Sequence, residues 1–356
     1  MPLWQHKHLH LECFPAVPEH VSLPWDSADE YLADALTDGT STLLLNDRYG
    51  ALSCALPAAH SWADSYCAAI ATRDNRVRNS LPNRERLNWP DLPSLQGIRE
   101  VGLRIPKNNE QLQDQLRLIA RHWPEATVKL AGMAKHIPVS LLNWLEANAD
   151  DYRQHPIVRK ARLIEIRGLT AFASKSNDWK GYTQGDLRIE ALPGVFCRNQ
   201  LDPGAAVMLQ HLPAQMPGVI FDLGCGNGIL SLTIARRNPQ SVIIATDDSE
   251  LATLSVTHNA SAAGVTIDVR HGNILSAVSG NADWIVCNPP FHDGHKELTN
   301  IAAAMFREAR AQLNTDGHLL VVANRHLPYL PMLRKLFRKV DTVSSDKRFC
   351  VFDCRP

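Results

Sequence analysis

Apolar residues in the second half of the chain fall in short runs separated by longer stretches of helical spacing. The runs are Val219–Leu223, 242–246, 283–287 and 318–323, and Ile229–Arg237, Glu250–Ala263 and 298–313 lie between them. Short apolar runs bounded by polar residues predict buried strands, and apolar positions recurring every three or four residues predict helices. Strands alternating with helices in this order build an open parallel sheet covered on both faces, an α/β fold.

The first half repeats this plan with a weaker pattern. Gly50-Ala51-Leu52-Ser53 after the run Thr42–Leu45 mirrors Gly228-Ile229-Leu230-Ser231 after Val219–Leu223, an offset of 178. Asp64-Ser65 and Asn75 around Ala68 mirror Asp248-Ser249 and Asn259 around Ala252, an offset of 184. Lys135-His136-Ile137-Pro138 mirrors Arg325-His326-Leu327-Pro328 at an offset of 190, and residues 101–106 stand where 285–290 stand in the second half. Landmarks in one order with slowly growing offsets indicate a duplicated domain. Two Rossmann-like domains are therefore expected, 1–160 and 161–356, and a chain of 356 residues is long enough for both. Asp150-Asp151 and the polar residues 152–156 mark the border, and a β-rich segment, 163–193, is expected to lead into the second sheet.

The candidate chemistry lies in the second copy. Phe221-Asp222-Leu223-Gly224-Cys225-Gly226-Asn227-Gly228 ends a strand and opens a helix, and glycines there let the chain turn tightly against a ligand. Such a glycine loop alone is weak, because dinucleotide enzymes share it. Asp222, two residues before the first glycine, repels a pyrophosphate but suits the cationic methionine end of S-adenosyl-L-methionine. Asp247, at the end of the next strand, is placed to accept from both ribose hydroxyls. Asp248 is the alternative ribose ligand unless it caps the following helix, a task for which Ser249 competes. Asn273 is read either as a contact to the adenine edge or as a turn residue. Cys225, although within the cofactor loop, is read with Cys287 as a small packing residue.

Asn288-Pro289-Pro290-Phe291 directly follows a strand and so sits at the carboxyl edge of the sheet, where such folds bind ligands. An exocyclic amine on a heteroaromatic ring is a poor nucleophile, because its lone pair is delocalised. The Asn288 side-chain oxygen and the Pro289 carbonyl can hold both amine hydrogens and turn the lone pair toward a methyl donor. Pro290 stiffens the turn, and Phe291 can stack on the ring. The rival chemistry, methylation of a pyrimidine carbon, needs a nucleophilic cysteine beside proline, a context that Cys287 lacks.

In the first copy Leu44, Asn46 and Arg48 stand in the places of Asp222, Gly224 and Gly226, and Arg104-Ile105-Pro106-Lys107 replaces the tetrapeptide. That domain is expected to keep the fold without the catalysis and to serve in substrate recognition.

Composition changes the picture in three places. Lys and Arg together number 37, as do Asp and Glu, so an RNA partner must be met by local patches or by shape. Candidate patches are Arg159, Lys160 and Arg162, and Arg334, Lys335, Arg338, Lys339, Lys347 and Arg348 near the carboxyl end. The eight cysteines form no Cys-x-x-Cys pair, which predicts reduced thiols and no zinc cluster, and the alternating His6, His8 and His10 before Cys13 read as a strand-like start. No apolar run approaches a membrane span and the first residues lack a signal-peptide pattern, so a cytoplasmic protein without a metal is expected.

The residues around the tetrapeptide resemble a known family. Asn288-Pro289-Pro290-Phe291-His292-Asp293-Gly294, Val322-Ala323-Asn324, Leu192-Pro193-Gly194-Val195-Phe196 and Leu201-Asp202-Pro203-Gly204 are similar to the bacterial N2-guanine ribosomal RNA methyltransferases. The resemblance implies tandem class I methyltransferase domains with a degenerate amino-terminal copy, S-adenosyl-L-methionine as cofactor, and Phe196, Arg198 or Asp202 lining its pocket. Residues 45–56, Ala71-Thr72-Arg73-Asp74-Asn75 and 322–329 resemble the large-subunit branch, which implies guanine 1835 of 23S ribosomal RNA as target. Open alternatives are a 16S RNA guanine enzyme, an N6-adenine methyltransferase, a release-factor glutamine methyltransferase, and a non-catalytic assembly factor. The helical amino domain and post-proline tyrosine of release-factor enzymes are absent, and the intact Asp222, Gly226, Asp247 and Asn288 argue against decay.

Overall fold

The computed structural model describes residues 2–17, 20–173, 179–290 and 295–356. The chain divides into two compact units, Met1–Asp178 and Trp179–Pro356.

The amino unit opens with a ladder of β1 (Leu3–Trp4) and β2 (Leu9–His10). It continues through α1 (Ser27–Ala35), β3 (Thr42–Leu45), α2 (Ala51–Ala55), β4 (His60–Trp62), α3 (Tyr66–Arg78), β5 (Glu100–Arg104) and α4 (Asn109–His122). β6 (Thr127–Met133), α5 (Val139–Asn148), β7 (Asp151–Gln154) and β8 (Ala161–Arg167) complete it. Its sheet has the order β4-β3-β5-β6-β8-β7, parallel from β4 to β6, with β8 antiparallel to both β6 and β7.

The carboxy unit begins with a hairpin of β9 (Lys180–Gln184) and β10 (Leu187–Ala191), followed by α6 (Pro203–His211), β11 (Val219–Leu223), α7 (Ile229–Arg237), β12 (Val242–Asp247) and α8 (Glu250–Ala263). Then come β13 (Asp268–His271), β14 (Ala282–Cys287), α9 (His295–Gln312), β15 (Leu313–Asn324), α10 (Tyr329–Leu336), β16 (Lys339–Ser345) and β17 (Phe349–Arg355). The sheet order is β13-β12-β11-β14-β15-β17-β16, with β17 antiparallel to its neighbours. The amino sheet is this sheet without a counterpart of β13. The duplication read from spaced landmarks is thus a duplication of topology.

Strand residues alternate between two cores, as period-two side chains must. Ile220, Ile243, Val286, Leu320 and Val351 pack with Met208, Leu230 and Ile234 from α6 and α7 on one face. Phe221, Ile285, Leu319 and Phe352 pack with Phe306 and Leu333 from α9 and α10 on the other. Burial on both faces is why these central strands read as unbroken apolar runs.

The expected border at 160/161 is corrected. β8 pairs with β6 and β7, so residues 161–167 complete the first sheet. The segment 163–193 accordingly does not lead as one piece into the second sheet: its start belongs to the amino unit, and β9 and β10 pair only with each other. The border was misplaced because β8 returns antiparallel after a turn in which Arg159 and Lys160 take φ of 47° and 68°, and that polar turn resembles a linker.

Candidate active site

β11 pairs in parallel with β12 on one side and β14 on the other, with Leu223 opposite Thr246 and Cys287. Gly224, Asp247 and Asn288 therefore leave the sheet at one level, along its carboxyl edge.

The loop after β11 carries Gly224, Gly226 and Gly228 at φ of 70°, 54° and 84°, the left-handed region that side chains with a Cβ disfavour. At Gly228 a Cβ would meet Val256 at 3.0 Å, whereas at Gly226 it would meet nothing within 4 Å. Gly228 thus serves packing, and Gly226 faces open space. The amides of Gly224 and Cys225 donate to the Thr246 carbonyl at 2.9 and 3.0 Å. Gly226 donates to Asp247 Oδ2 at 2.9 Å and Gly228 to the Cys225 carbonyl at 2.8 Å. With these four amides engaged inside the loop, it is not a nest for a pyrophosphate.

Asp247 is half-buried, and its Oδ1 accepts from the Ser249 amide at 2.9 Å. Burial pushes its carboxyl up to about 6, against the opposing pull of the Ser249 and Gly226 amides. Ser249, not Asp248, caps α8 through the Ala252 amide at 3.1 Å, and Asp248 is half-buried beside it. Asn273 follows β13, in a turn whose Gly272 donates to the Asp247 carbonyl at 2.9 Å, and its own carbonyl accepts from Ser276 at 2.9 Å. It therefore holds a turn and also stands beside Asp247.

Asp222 is 1% exposed, and its Oδ2 accepts from the amide and hydroxyl of Ser231. Burial pushes its carboxyl up to about 6, with Ser231 opposing and Asp247 adding to the rise. Its direct work is to anchor α7 beneath the loop, a different task from the open acceptor that the sequence suggests. Cys225 packs on Ala245 and Val256, and burial raises its thiol. Cys287 is fully buried with its thiol raised by burial, so it holds no thiolate for carbon chemistry.

Residues 192–202 cross this edge from the other side. Arg198 is buried and donates to the Ala191 carbonyl at 2.9 Å, so it braces the segment, while Phe196 is 48% exposed. Asp202 caps α6 by accepting from Ala205 at 2.7 Å, and its Oδ2 also accepts from Asn288 Nδ2 at 3.0 Å. Asn288 Oδ1 is buried and has no hydrogen-bond partner among the described residues. Pro289 is buried and Pro290 exposed; Phe291 lies outside the described residues.

Several supporting residues escape a reading of motifs. Asn227 Nδ2 donates to Tyr182 Oη at 3.2 Å and to the Cys197 carbonyl at 3.1 Å, joining the glycine loop to the hairpin and to residues 192–202. Asn259 Nδ2 donates to the carbonyls of Glu190 and Asn227 at 2.7 and 3.0 Å. The duplication held a signal for it: Asn75 donates in the same way to the carbonyls of Glu12 and Tyr49.

The first copy shows what the site becomes without its chemistry. Asn46 keeps the left-handed turn of Gly224, at φ 66°, and donates its amide to Trp62 at 3.0 Å. Leu44 does replace Asp222, but Asp47, three residues on, takes over the bonds to the helix serine, accepting from the Ser53 amide and hydroxyl at 2.7 and 2.8 Å. Ala63 stands in the register of Asp247. Arg104 stands in that of Asn288 and pairs with Asp26 and Asp29 at 2.9 and 3.1 Å. A cavity of about 350 Å³ at this edge is lined by Trp62, Arg73, Arg76, Arg84 and Arg86 among others.

Residues 2–170 match the family model described as RLMG N-terminal domain, and residues 186–353 match that described as Methyltransferase small domain. Among solved structures, the Thermus thermophilus (T. Thermophilus) 16S rRNA N2 G1207 methyltransferase (RsmC), determined with AdoMet and guanosine, has a TM-score of 0.77 at 21% identity. That similarity covers 93% of this chain and 92% of that one. A ribosomal protein L11 methylase from Lactobacillus delbrueckii subsp. bulgaricus has a TM-score of 0.36 at 21% identity, over 46% of this chain and 89% of that one. Matched in succession by the RLMG N-terminal domain and Methyltransferase small domain models, the chain belongs to that family of two-domain methyltransferases, which use S-adenosyl-L-methionine.

Proposed function

We propose that this chain methylates the exocyclic N2 amine of a guanine in ribosomal RNA, with guanine 1835 of 23S RNA as the target. The observation that carries the chemistry is the buried, unpartnered Asn288 Oδ1 at the end of β14, level with Asp247 at the end of β12. A buried acceptor left without a partner is unfavourable and calls for a donor from a ligand.

The residues present fit the cofactor. Asp247 is placed for two vicinal ribose hydroxyls, Asp248 and Asn273 flank it, and Gly226 faces open space where backbone must approach a ligand. Gly224, Gly228 and Cys225 shape that loop from within. Phe196 and Asp202 bound the edge opposite. Asp222, Asp202, Asp247 and Asp248 surround the site with carboxylates, which favours a sulfonium over a phosphate. The cofactor supplies an electrophilic methyl group. Asn288 Oδ1 and the Pro289 carbonyl accept the two amine hydrogens, Pro290 stiffens the turn, and Phe291 is assigned to stack on the base. This is catalysis by orientation, with the guanine nitrogen losing a proton after transfer.

The amino unit is assigned to RNA recognition. Its support is the cavity at the corresponding edge, where Arg73, Arg76, Arg84 and Arg86 outnumber the carboxylates of Asp47 and Glu85. Among the described residues no helix is long and apolar enough to cross a membrane, which accords with a cytoplasmic RNA substrate.

The test is transfer of labelled methyl to protein-free 23S transcript, with 16S transcript as the parallel arm and mass-spectrometric mapping of the product. N2-methylguanine in 23S RNA is expected. Label confined to 16S RNA overturns the branch assignment, and N6-methyladenine overturns the amine. Asn288→Ala should lower transfer by about a hundredfold or more, the scale of a lost preorganised hydrogen bond, while calorimetric cofactor affinity stays within about twofold.

A further inference from the structure

A primary amide such as that of Asn288 has two orientations of nearly equal shape, and only its hydrogen-bond partners choose between them. The partner here is Asp202, 5% exposed, whose Oδ2 already accepts the Ala205 amide at 2.7 Å. A carboxylate only accepts, so Asn288 must turn Nδ2 toward it, as it does at 3.0 Å. The reverse orientation would set two acceptor oxygens against each other. Oδ1 is the atom left over, buried and unpartnered among the described residues.

The first copy of the domain isolates the part played by the carboxylate. Asp26 caps α1 as Asp202 caps α6, through the amides of Ala28 and Asp29 at 2.7 and 3.2 Å. It too reaches the end of the strand opposite, but meets Arg104 Nη2 at 2.9 Å. Arginine has donors and no acceptor. The cap carboxylate is thus common to both copies, and the residue facing it decides whether an acceptor remains for a ligand. Asn288 leaves one; Arg104 leaves none.

We propose that Asp202 is the positioning residue for methyl transfer: it holds the Asn288 amide with Oδ1 directed to accept from the substrate amine. This goes beyond pocket lining and rests on the reading of Asn288 as the amine acceptor. In Asp202→Ser the cap survives, because serine caps as well as aspartate, but the single, shorter hydroxyl no longer presents Asn288 with a carboxylate oxygen. The orientation of Asn288 is then no longer dictated.

The experiment uses the full chain and the more active of the two transcripts, 23S or 16S RNA. For Asp202→Ser, kcat should fall about tenfold to a hundredfold, while the KM for RNA and Tm stay close to wild type. Asp202→Ser combined with Asn288→Ala should be no slower than Asn288→Ala alone, because a residue acting through another adds nothing once that other is gone. In protein labelled with nitrogen-15 asparagine, the side-chain signal absent from Asn288→Ala should shift in Asp202→Ser. An unshifted signal overturns the positioning role, as does wild-type kcat in Asp202→Ser or additive losses in the double variant. A wild-type protein inactive on both transcripts, or an active Asn288→Ala, overturns the amine-transfer reading and with it the catalytic role of Asp202. In that case the signal shift still reports the contact separately.

Discussion

Asp247 faces two opposing demands that pH separates. Its carboxyl is raised from 3.8 to about 6 because burial penalises the anion, and Asp222 beneath it is raised to about 6 as well. For the fold alone, the contribution of such groups is fully present below the unfolded value and is lost as pH rises through about 6. For a ligand that donates ribose hydroxyls to Asp247, the anion is the better acceptor, so affinity should be greatest above that pH. Calorimetric cofactor affinity is therefore expected to hold near neutrality and weaken below pH of about 6, with a limiting slope of about tenfold per unit for each linked proton. Asp247→Asn should bind more weakly throughout and show a shallower slope. An unchanged slope in that variant would assign the titration to another group. The identity of Asp247 as the strand-end acid was legible from its distance to Asp222. Its raised pKa was not, because burial is a property of the packed edge.

The glycine loops show how one turn serves different ends. Gly226→Ala places a Cβ in open space and costs about 1–2 kcal/mol of left-handed strain, so its main effect should be on cofactor affinity. Gly228→Ala carries the same strain and presses on Val256 at 3.0 Å, so it should lower stability more and affinity less directly. Gly50→Ala in the first copy meets the Thr72 Cα at 2.4 Å, a backbone conflict that no rotamer relieves, and should be the most destabilising of the three. Denaturant unfolding of the three variants beside cofactor calorimetry checks this order, and an affinity loss no larger for Gly226→Ala than for Gly228→Ala would refute it. At this scale the sequence was most informative where strands are buried on both faces. Ile229–Arg237 and Glu250–Ala263 are α7 and α8 as read. The helix read at 298–313 is α9, which starts three residues earlier. β16, β17, α10, α6 and β13 were not read. β16 has Val340 and Val343 as its apolar residues, three positions apart at a sheet edge, α10 contains Pro331, and α6 opens on Pro203-Gly204, so none carries the uniform signal of a central element.

Across the whole chain, duplication has left two sites of opposite character on one topology. The carboxy unit collects carboxylates and one unpartnered acceptor at its edge. The amino unit has Ala63 in place of the ribose acid and the Arg104–Asp26 pair in place of the acceptor. One cofactor per chain is the expected stoichiometry, and Arg104→Asn alone should not raise it, because Ala63 still offers no carboxylate. A second calorimetric site in wild type, or one created by Arg104→Asn, would contradict the asymmetry. Of the basic patches read from the sequence, Arg159 pairs with Glu30 at 2.7 Å and Arg334 and Lys335 close α10, whereas the arginines of the amino cavity lie within residues 73–86, a stretch not read as a basic patch.

The sequence by itself determined the α/β plan, its duplication, the glycine loop, the strand-end acid and the Asn-Pro-Pro turn. Each of these is a local matter of apolar spacing, backbone freedom or residue order. Only the tertiary structure decided that β8 belongs to the first sheet, that Asp47 replaces Asp222 at the helix serine, and that Asp202 meets Asn288. Those facts depend on antiparallel return and on contacts between residues as far apart as 86 positions, where hydrogen-bond geometry decides and no sequence period applies. The tetrapeptide ends a strand at the carboxyl edge of the sheet, and a carboxylate from another segment accepts from its amide.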